Sequence, residues 1–234
     1  MIFDNEEKKK YRHELKYICT AAELALLQNR IHHLIPLDSN ADESGMYTIR
    51  SLYFDDYYDR CYYENENGTD PREKFRIRIY NGSTDKISLE LKKKERGKTL
   101  KLSCLLTEEQ CRILMKGELL PDSPDYPPVM QKLILLMKTN LMKPKIIVEY
   151  DRVPYVYKLG NVRITLDKNI SSCTRIETFL DKEINRRPIM PAGQHLLEVK
   201  FDEFLPDYIY RALQLNNLRQ TAFSKFYLCR KFAL

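Results

Sequence analysis

The sequence predicts an α+β fold: one antiparallel sheet of about eight strands, curled or closed into a barrel, with surrounding helices and a C-terminal helical segment. Three observations point there. Short segments alternate apolar and charged residues with a period of two, as in KFRIRIY over 74–80. Turn signals link them closely at Asn81-Gly82, Gly97 and Leu159-Gly160-Asn161. No internal repeat, low-complexity tract or composition shift breaks the series, so residues 1–234 read as a single domain.

The strand patterns fall at 11–18, 47–55, 74–80, 87–93 and 99–104. After the proline-rich stretch LLPDSPDYPP at 119–128 they resume at 145–152, 154–159, 161–167 and 195–202. Helices are fewer. Thr20, with Glu23 three residues on, forms a capping box for AAELALLQNRIHHLI, and Thr107 with Gln110 does the same for EEQCRILMKG. PPVMQKLILLMKT opens on proline, and from Pro206 onward DYIYRALQLNN and AFSKFYLCRKF have helical spacing.

The 234 residues are 43% hydrophobic, enough for one well-buried core or two small ones. A net charge of +6 and a pI near 8.9 suit a protein that handles anions, and fall short of a dedicated nucleic-acid binder. The six cysteines lack CxxC spacing and no histidine cluster accompanies them. That argues against a zinc site and for a reduced, cytoplasmic setting. Residues 1–17 show no apolar signal core, and the run LILLM is too short to span a bilayer. Direct membrane insertion is therefore not expected, though a membrane-protein partner is compatible with the chain.

The charged faces carry the functional argument. They comprise Arg12, Glu14 and Lys16; Lys74, Arg76 and Arg78; Ser88, Glu90 and Lys92; Thr99, Lys101 and Ser103; Arg163, Thr165 and Asp167; Glu198, Lys200 and Asp202. Any one of them reads as an ordinary solvated face. Taken together they suggest an ionic lumen inside a barrel. Arg76 and Arg78 share one strand face and repel unless an anion lies between them, and buried cations are costly until neutralised. An elongated, multiply charged anion such as a phosphate chain would neutralise such a wall.

RHELKY, SLYFDD, KFRIRIY, LELKKK, LEVKF and FSKF, in this order, resemble the VTC domain of polyphosphate polymerases, within the triphosphate tunnel (CYTH-like) superfamily. The resemblance implies a tunnel open at both ends. It also implies catalytic cations at Lys16, Arg76, Arg78, Lys92 and Arg163, and phosphate contacts from Lys101, Arg152, Ser224 and Lys225. Arg50 and Arg12 are added as further cations of the tunnel. A divalent metal, Mn2+ or Mg2+, would be held by Glu198, with Glu14 and Glu90 as a second acidic group. Arg12 stands where the wider superfamily's first-strand signature has a glutamate, which favours the VTC branch over the hydrolases. The expected activity is transfer of the γ-phosphate of ATP to inorganic polyphosphate. A triphosphatase and a non-catalytic polyphosphate-binding sensor are the alternatives.

Overall fold

A computed structural model describes residues 11–214 and 218–233. The expectations for the segment before residue 11 and for the end of DYIYRALQLNN lie outside the described residues. In chain order the elements are β1 His13–Thr20, α1 Ala21–His32, β2 Tyr47–Asp55, α2 Arg60–Glu66, β3 Arg72–Tyr80, β4 Ser83–Glu95 and β5 Lys98–Leu106. There follow α3 Glu108–Met115, α4 Pro128–Asn140, β6 Lys143–Tyr157, β7 Val162–Cys173, β8 Arg187–Pro188, β9 Gln194–Phe201, α5 Asp207–Ala212 and α6 Lys225–Lys231.

The strands pair antiparallel in the order β1-β9-β7-β6-β2-β3-β4-β5, with β8 added beside β7. The sheet then curls until its two outer strands meet. Arg12 and Thr99 exchange backbone hydrogen bonds of 2.9 Å in both directions. Tight turns allow this. Asn81 and Gly82 both take positive φ, and the Asn81 side chain accepts a hydrogen bond from the Thr48 amide at 2.8 Å. Gly160, at φ 71, joins β6 to β7 where a Cβ would lie 2.8 Å from the Phe204 carbonyl oxygen, so no side chain fits there.

The apolar alternation faces outward and is covered by helices. Phe75, Ile77 and Ile79 of β3 and Leu89 and Leu91 of β4 pack with Cys111 and Leu114 of α3 and Met130 and Leu133 of α4. Leu24, Leu27 and Ile31 of α1 and Ile209 of α5 cover Ile164 and Leu166 of β7 and Leu197 and Val199 of β9. Both predicted capping boxes are present, at Thr20–Glu23 and Thr107–Gln110.

Two features depart from expectation. The segments 145–152 and 154–159 are one strand, β6, which runs through Pro154. Its pairing with β2 ends at Tyr47–Arg152, so Pro154 lies beyond the β2 ladder, beside Pro36–Asp38, where its missing N–H breaks no strand bond. The curl is also not ionic throughout. Tyr47, Ile49 and Tyr53 of β2 and Ile146, Val148 and Tyr150 of β6 line its inner side together with Phe223, Phe226 and Cys229. The helix α6 thus lies inside the curl while α1, α3, α4 and α5 lie outside.

Leu133 is fully buried between α4 and the convex face of the sheet. Leu133→Ala should cost about 2–5 kcal/mol in urea denaturation, because the rigid sheet beneath α4 cannot collapse into the space.

Candidate phosphate-binding tunnel

The arginines of KFRIRIY point into the curl because the alternate residues anchor β3 under α3 and α4. Arg76 Nε donates to Glu90 Oε2 at 2.7 Å, and its Nη1 donates to the Tyr53 hydroxyl at 2.9 Å. Arg78 Nη1 lies 3.7 Å from the same carboxylate oxygen, and its Nε donates to Ser51 Oγ at 3.3 Å. Lys101 of β5 reaches Glu90 Oε1 at 3.3 Å. Glu90, 2% exposed, thus supplies from within the chain an anion for the two arginines, where the strand pattern alone pointed to a phosphate chain. It neutralises part of their charge and fixes where both guanidinium groups point.

A second group forms around α6. Ser224 caps this helix by accepting from the Tyr227 amide at 3.3 Å, which sets the first turn inside the curl. Lys225 Nζ then lies 2.7 Å from Asp167 Oδ2 and 2.7 Å from Glu198 Oε1. Arg152 grips Asp167 through two parallel hydrogen bonds of 2.7 Å. Glu198 is ringed further by Lys200 at 3.0 Å, Arg152 at 3.6 Å and Lys16 at 3.8 Å.

The third group lies where the sheet edges approach each other. Glu14 of β1 binds Lys92 of β4 at 2.7 Å, with Lys200 at 3.5 Å and Lys16 at 3.8 Å. Lys16 Nζ donates to the Phe223 carbonyl at 2.7 Å, just ahead of α6. Arg163 Nη2 is held by Asp38 and the Tyr47 hydroxyl, each at 2.7 Å.

Most predicted residues thus converge, with three corrections. Arg50 is not in the curl: it projects from the opposite face of β2 to Glu149 and to the carbonyls of Phe179 and Asp181. Its neighbours on β2, Ile49 and Ser51, take the inward positions, so strand parity excludes it. Arg12 lies at the seam, bound to Asp202 at 2.9 Å and to the Asn161 carbonyl, and so closes the edge of the sheet. Glu14, Glu90 and Glu198 do not form one metal site. Among the described residues no three His, Cys, Asp or Glu side chains are placed to hold an ion together, and Glu90 is paired with Arg76, in a different ion-pair group from Glu14 and Glu198.

Lys74, Asp167, Lys200 and Tyr150 belong to the site and were not assigned roles from sequence. The first three sit on the same alternating faces as the assigned residues, and parity alone could have included them. Tyr150 follows an apolar run and gave no signal. Lys74 Nζ donates to Asn65 Oδ1 at 2.7 Å and Ser224 Oγ at 3.2 Å, and lies 4.8 Å from the Phe226 ring. It has no acidic partner within 4 Å among the described residues.

The ionisation of these groups follows from their surroundings. Burial alone would raise Glu198, but Lys200, Lys225, Lys16 and Arg152 hold it well below the usual carboxylate range. Glu90 and Glu14 are likewise lowered against burial, by Arg78 and Arg76 in one case and by Lys92 and Lys16 in the other. Burial raises the Tyr150 phenol, yet Arg152, Arg78 and Lys225 together bring it below its ordinary value. Burial brings both Lys74 and Lys92 down to about 7, and neighbouring cations contribute in each case.

An anion in the curl would favour the ammonium forms of these two lysines. Binding should then draw in protons at pH values above 7, lose affinity as pH rises, and take up few protons at pH 6, where both are already charged. Titrating tripolyphosphate at pH 8 in buffers of different ionisation enthalpy measures the uptake, which Lys74→Met should reduce.

The chain matches the VTC domain over residues 11–234. No curated protein matches its sequence. Among solved structures it is similar to a candidate adenylyl cyclase of Hippeastrum with a dominant triphosphatase activity, at TM-score 0.54 and 12% identity, covering 95% of this chain and 96% of that one. It is similar to a candidate adenylate cyclase of Bacillus halodurans at TM-score 0.51 and 14% identity, covering 87% of each chain. A candidate adenylate cyclase of Vibrio parahaemolyticus gives TM-score 0.51 and 9% identity, covering 95% of this chain and 99% of that one. At such identities the likeness is one of fold alone, a curled antiparallel sheet. The chain belongs to the VTC domain family.

Proposed function

We propose that the chain transfers the γ-phosphoryl group of ATP to the end of an inorganic polyphosphate chain bound in the curl. The observation that carries this reading is the state of the inward carboxylates. Glu14, Glu90, Asp167 and Glu198 are each bound to cations and each held below its ordinary pKa. A carboxylate so lowered is a poor base for activating water. The terminal phosphate of a chain is already an anionic nucleophile and needs no such base.

Phosphoryl transfer asks mainly for alignment and charge stabilisation. Cations outnumber carboxylates on this wall, which leaves a net positive track for phosphate oxygens. Arg76 and Arg78 present guanidinium groups already oriented by Glu90, suited to gripping phosphate oxygens in pairs. Lys16, Lys92, Arg152, Arg163 and Lys225 extend the positive wall, and Ser224 and Lys101 add contacts at its margins. Lys74, with no acid within 4 Å among the described residues, gains most from an anion.

Glu14 and Glu198, on adjacent strands and both near Lys16 and Lys200, are hard oxygen donors facing the phosphate-binding cations. Two carboxylates suit Mn2+ or Mg2+ that arrives with substrate phosphates and keeps part of its water, not a metal caged by protein alone. Held there, a divalent ion would supply positive charge against the phosphate groups. Hydrolysis is the second reading, favoured by the triphosphatase activity described for the Hippeastrum protein.

Two substitutions separate binding from turnover. Arg78→Ala should weaken tripolyphosphate binding about tenfold or more and slow synthesis with it. Glu198→Gln removes the negative charge shared by four cations, so affinity for metal-free polyphosphate should hold or rise while synthesis falls on the order of a hundredfold. Calorimetry reads the first quantity, and gels of phosphate chains made from ATP and Mn2+ read the second. Wild-type synthesis by Glu198→Gln would refute the metal assignment. Free phosphate without chains from the unmodified protein would favour hydrolysis, and binding without turnover would favour a sensor.

A further inference from the structure

We infer that the chain carries a second site for phosphoryl anions, outside the curl, at the C-terminal end of α6. A cavity of about 400 Å3 opens there between the end of β7, the 174–187 loop and the last turn of the helix. Ser172, Thr174, Arg175, Arg186, Arg187 and Phe232 line it. None of these residues belongs to the wall described above.

Among the described residues, the charged side chains that line the cavity are all arginines. Arg186 is held by Glu149 at 2.6 Å, and the other oxygen of Glu149 is taken by Arg50. Arg175 and Arg187 have no acidic partner within 4 Å among the described residues, and Arg187 makes only a long 3.4 Å contact with the Phe232 carbonyl. The acids of the same loop, Glu177, Asp181 and Glu183, do not line the cavity. Two guanidinium forks and the hydroxyls of Ser172 and Thr174 supply more donors than one carboxylate can accept. A tetrahedral phosphate, with oxygens in several directions, matches them better.

The position gives the site a definite relation to the first. The helix α6 spans about 10 Å, with Lys225 among the tunnel carboxylates at one end and Phe232 beside the arginines at the other. An anion that engages Arg187 competes with the Phe232 carbonyl and so acts on the same helix that completes the tunnel.

Tripolyphosphate titrated into the whole chain by calorimetry should reveal two classes of site. The double variant Arg175→Ala/Arg187→Ala, altered only at exposed positions, should lose one class or weaken it at least about tenfold, the effect of removing a charge-assisted hydrogen bond. Arg78→Ala should weaken the other. If the double variant and the unmodified chain give the same isotherm, the inference is overturned. If the double variant loses its class while Arg78→Ala changes nothing, the second site stands and the tunnel assignment fails. Orthophosphate in place of tripolyphosphate separates a site for the free anion from one that needs a chain; in either case the double variant must lose it.

Discussion

Lys225 bridges Asp167 and Glu198 at 2.7 Å each, and this buried contact fixes the inside of the molecule. It fastens α6 within the curled sheet and ties β7 to β9 through their carboxylates. It also orients Arg152, which shares both acids. Removing one partner from such a buried network leaves an uncompensated charge and typically costs about 3–5 kcal/mol. The Phe226 ring beside Tyr53 and the Tyr62–Tyr227 stack hold the apolar side of the same helix. Ionic and aromatic contacts thus converge on one short element at the C-terminal end of the chain.

This arrangement explains why ionic strand faces are tolerable inside a protein. Each inward carboxylate is placed to neutralise and aim the cations around it, as Glu90 does for Arg76, Arg78 and Lys101. The compensation is incomplete. Among the described residues Lys74 has no acid within 4 Å, and burial depresses both Lys74 and Lys92. The curl thus holds cationic groups that, on the proposed reading, a polyanion would favour in their charged form, so affinity and proton uptake would share one cause.

Much of this was legible in the strands. Strict alternation in β3, β4, β7 and β9 assigned Arg76, Arg78, Glu90, Arg163 and Glu198 to one face, and helical spacing with capping boxes gave α1 and α3. The errors have equally local causes. Arg50, expected as a further cation of the tunnel, has the parity of Leu52 on β2 and lies on the convex side. The inward aromatic patch on β2 and β6 was missed because both faces of those strands are apolar, and period-two patterning cannot distinguish them. That α6 lies inside the curl while the other amphipathic helices lie outside depends on Lys225 finding Asp167 and Glu198 far away in sequence. No local pattern encodes that pairing.

The most direct test is a crystal structure of the chain with tripolyphosphate bound. The account predicts phosphate oxygens within hydrogen-bond reach of Arg76 and Arg78, continuing toward Lys16, Lys92 and Arg152, with Lys74 drawn to the anion. Tripolyphosphate found only on the outer surface, with Arg76 and Arg78 still bound only to Glu90, Tyr53 and Ser51, would contradict it.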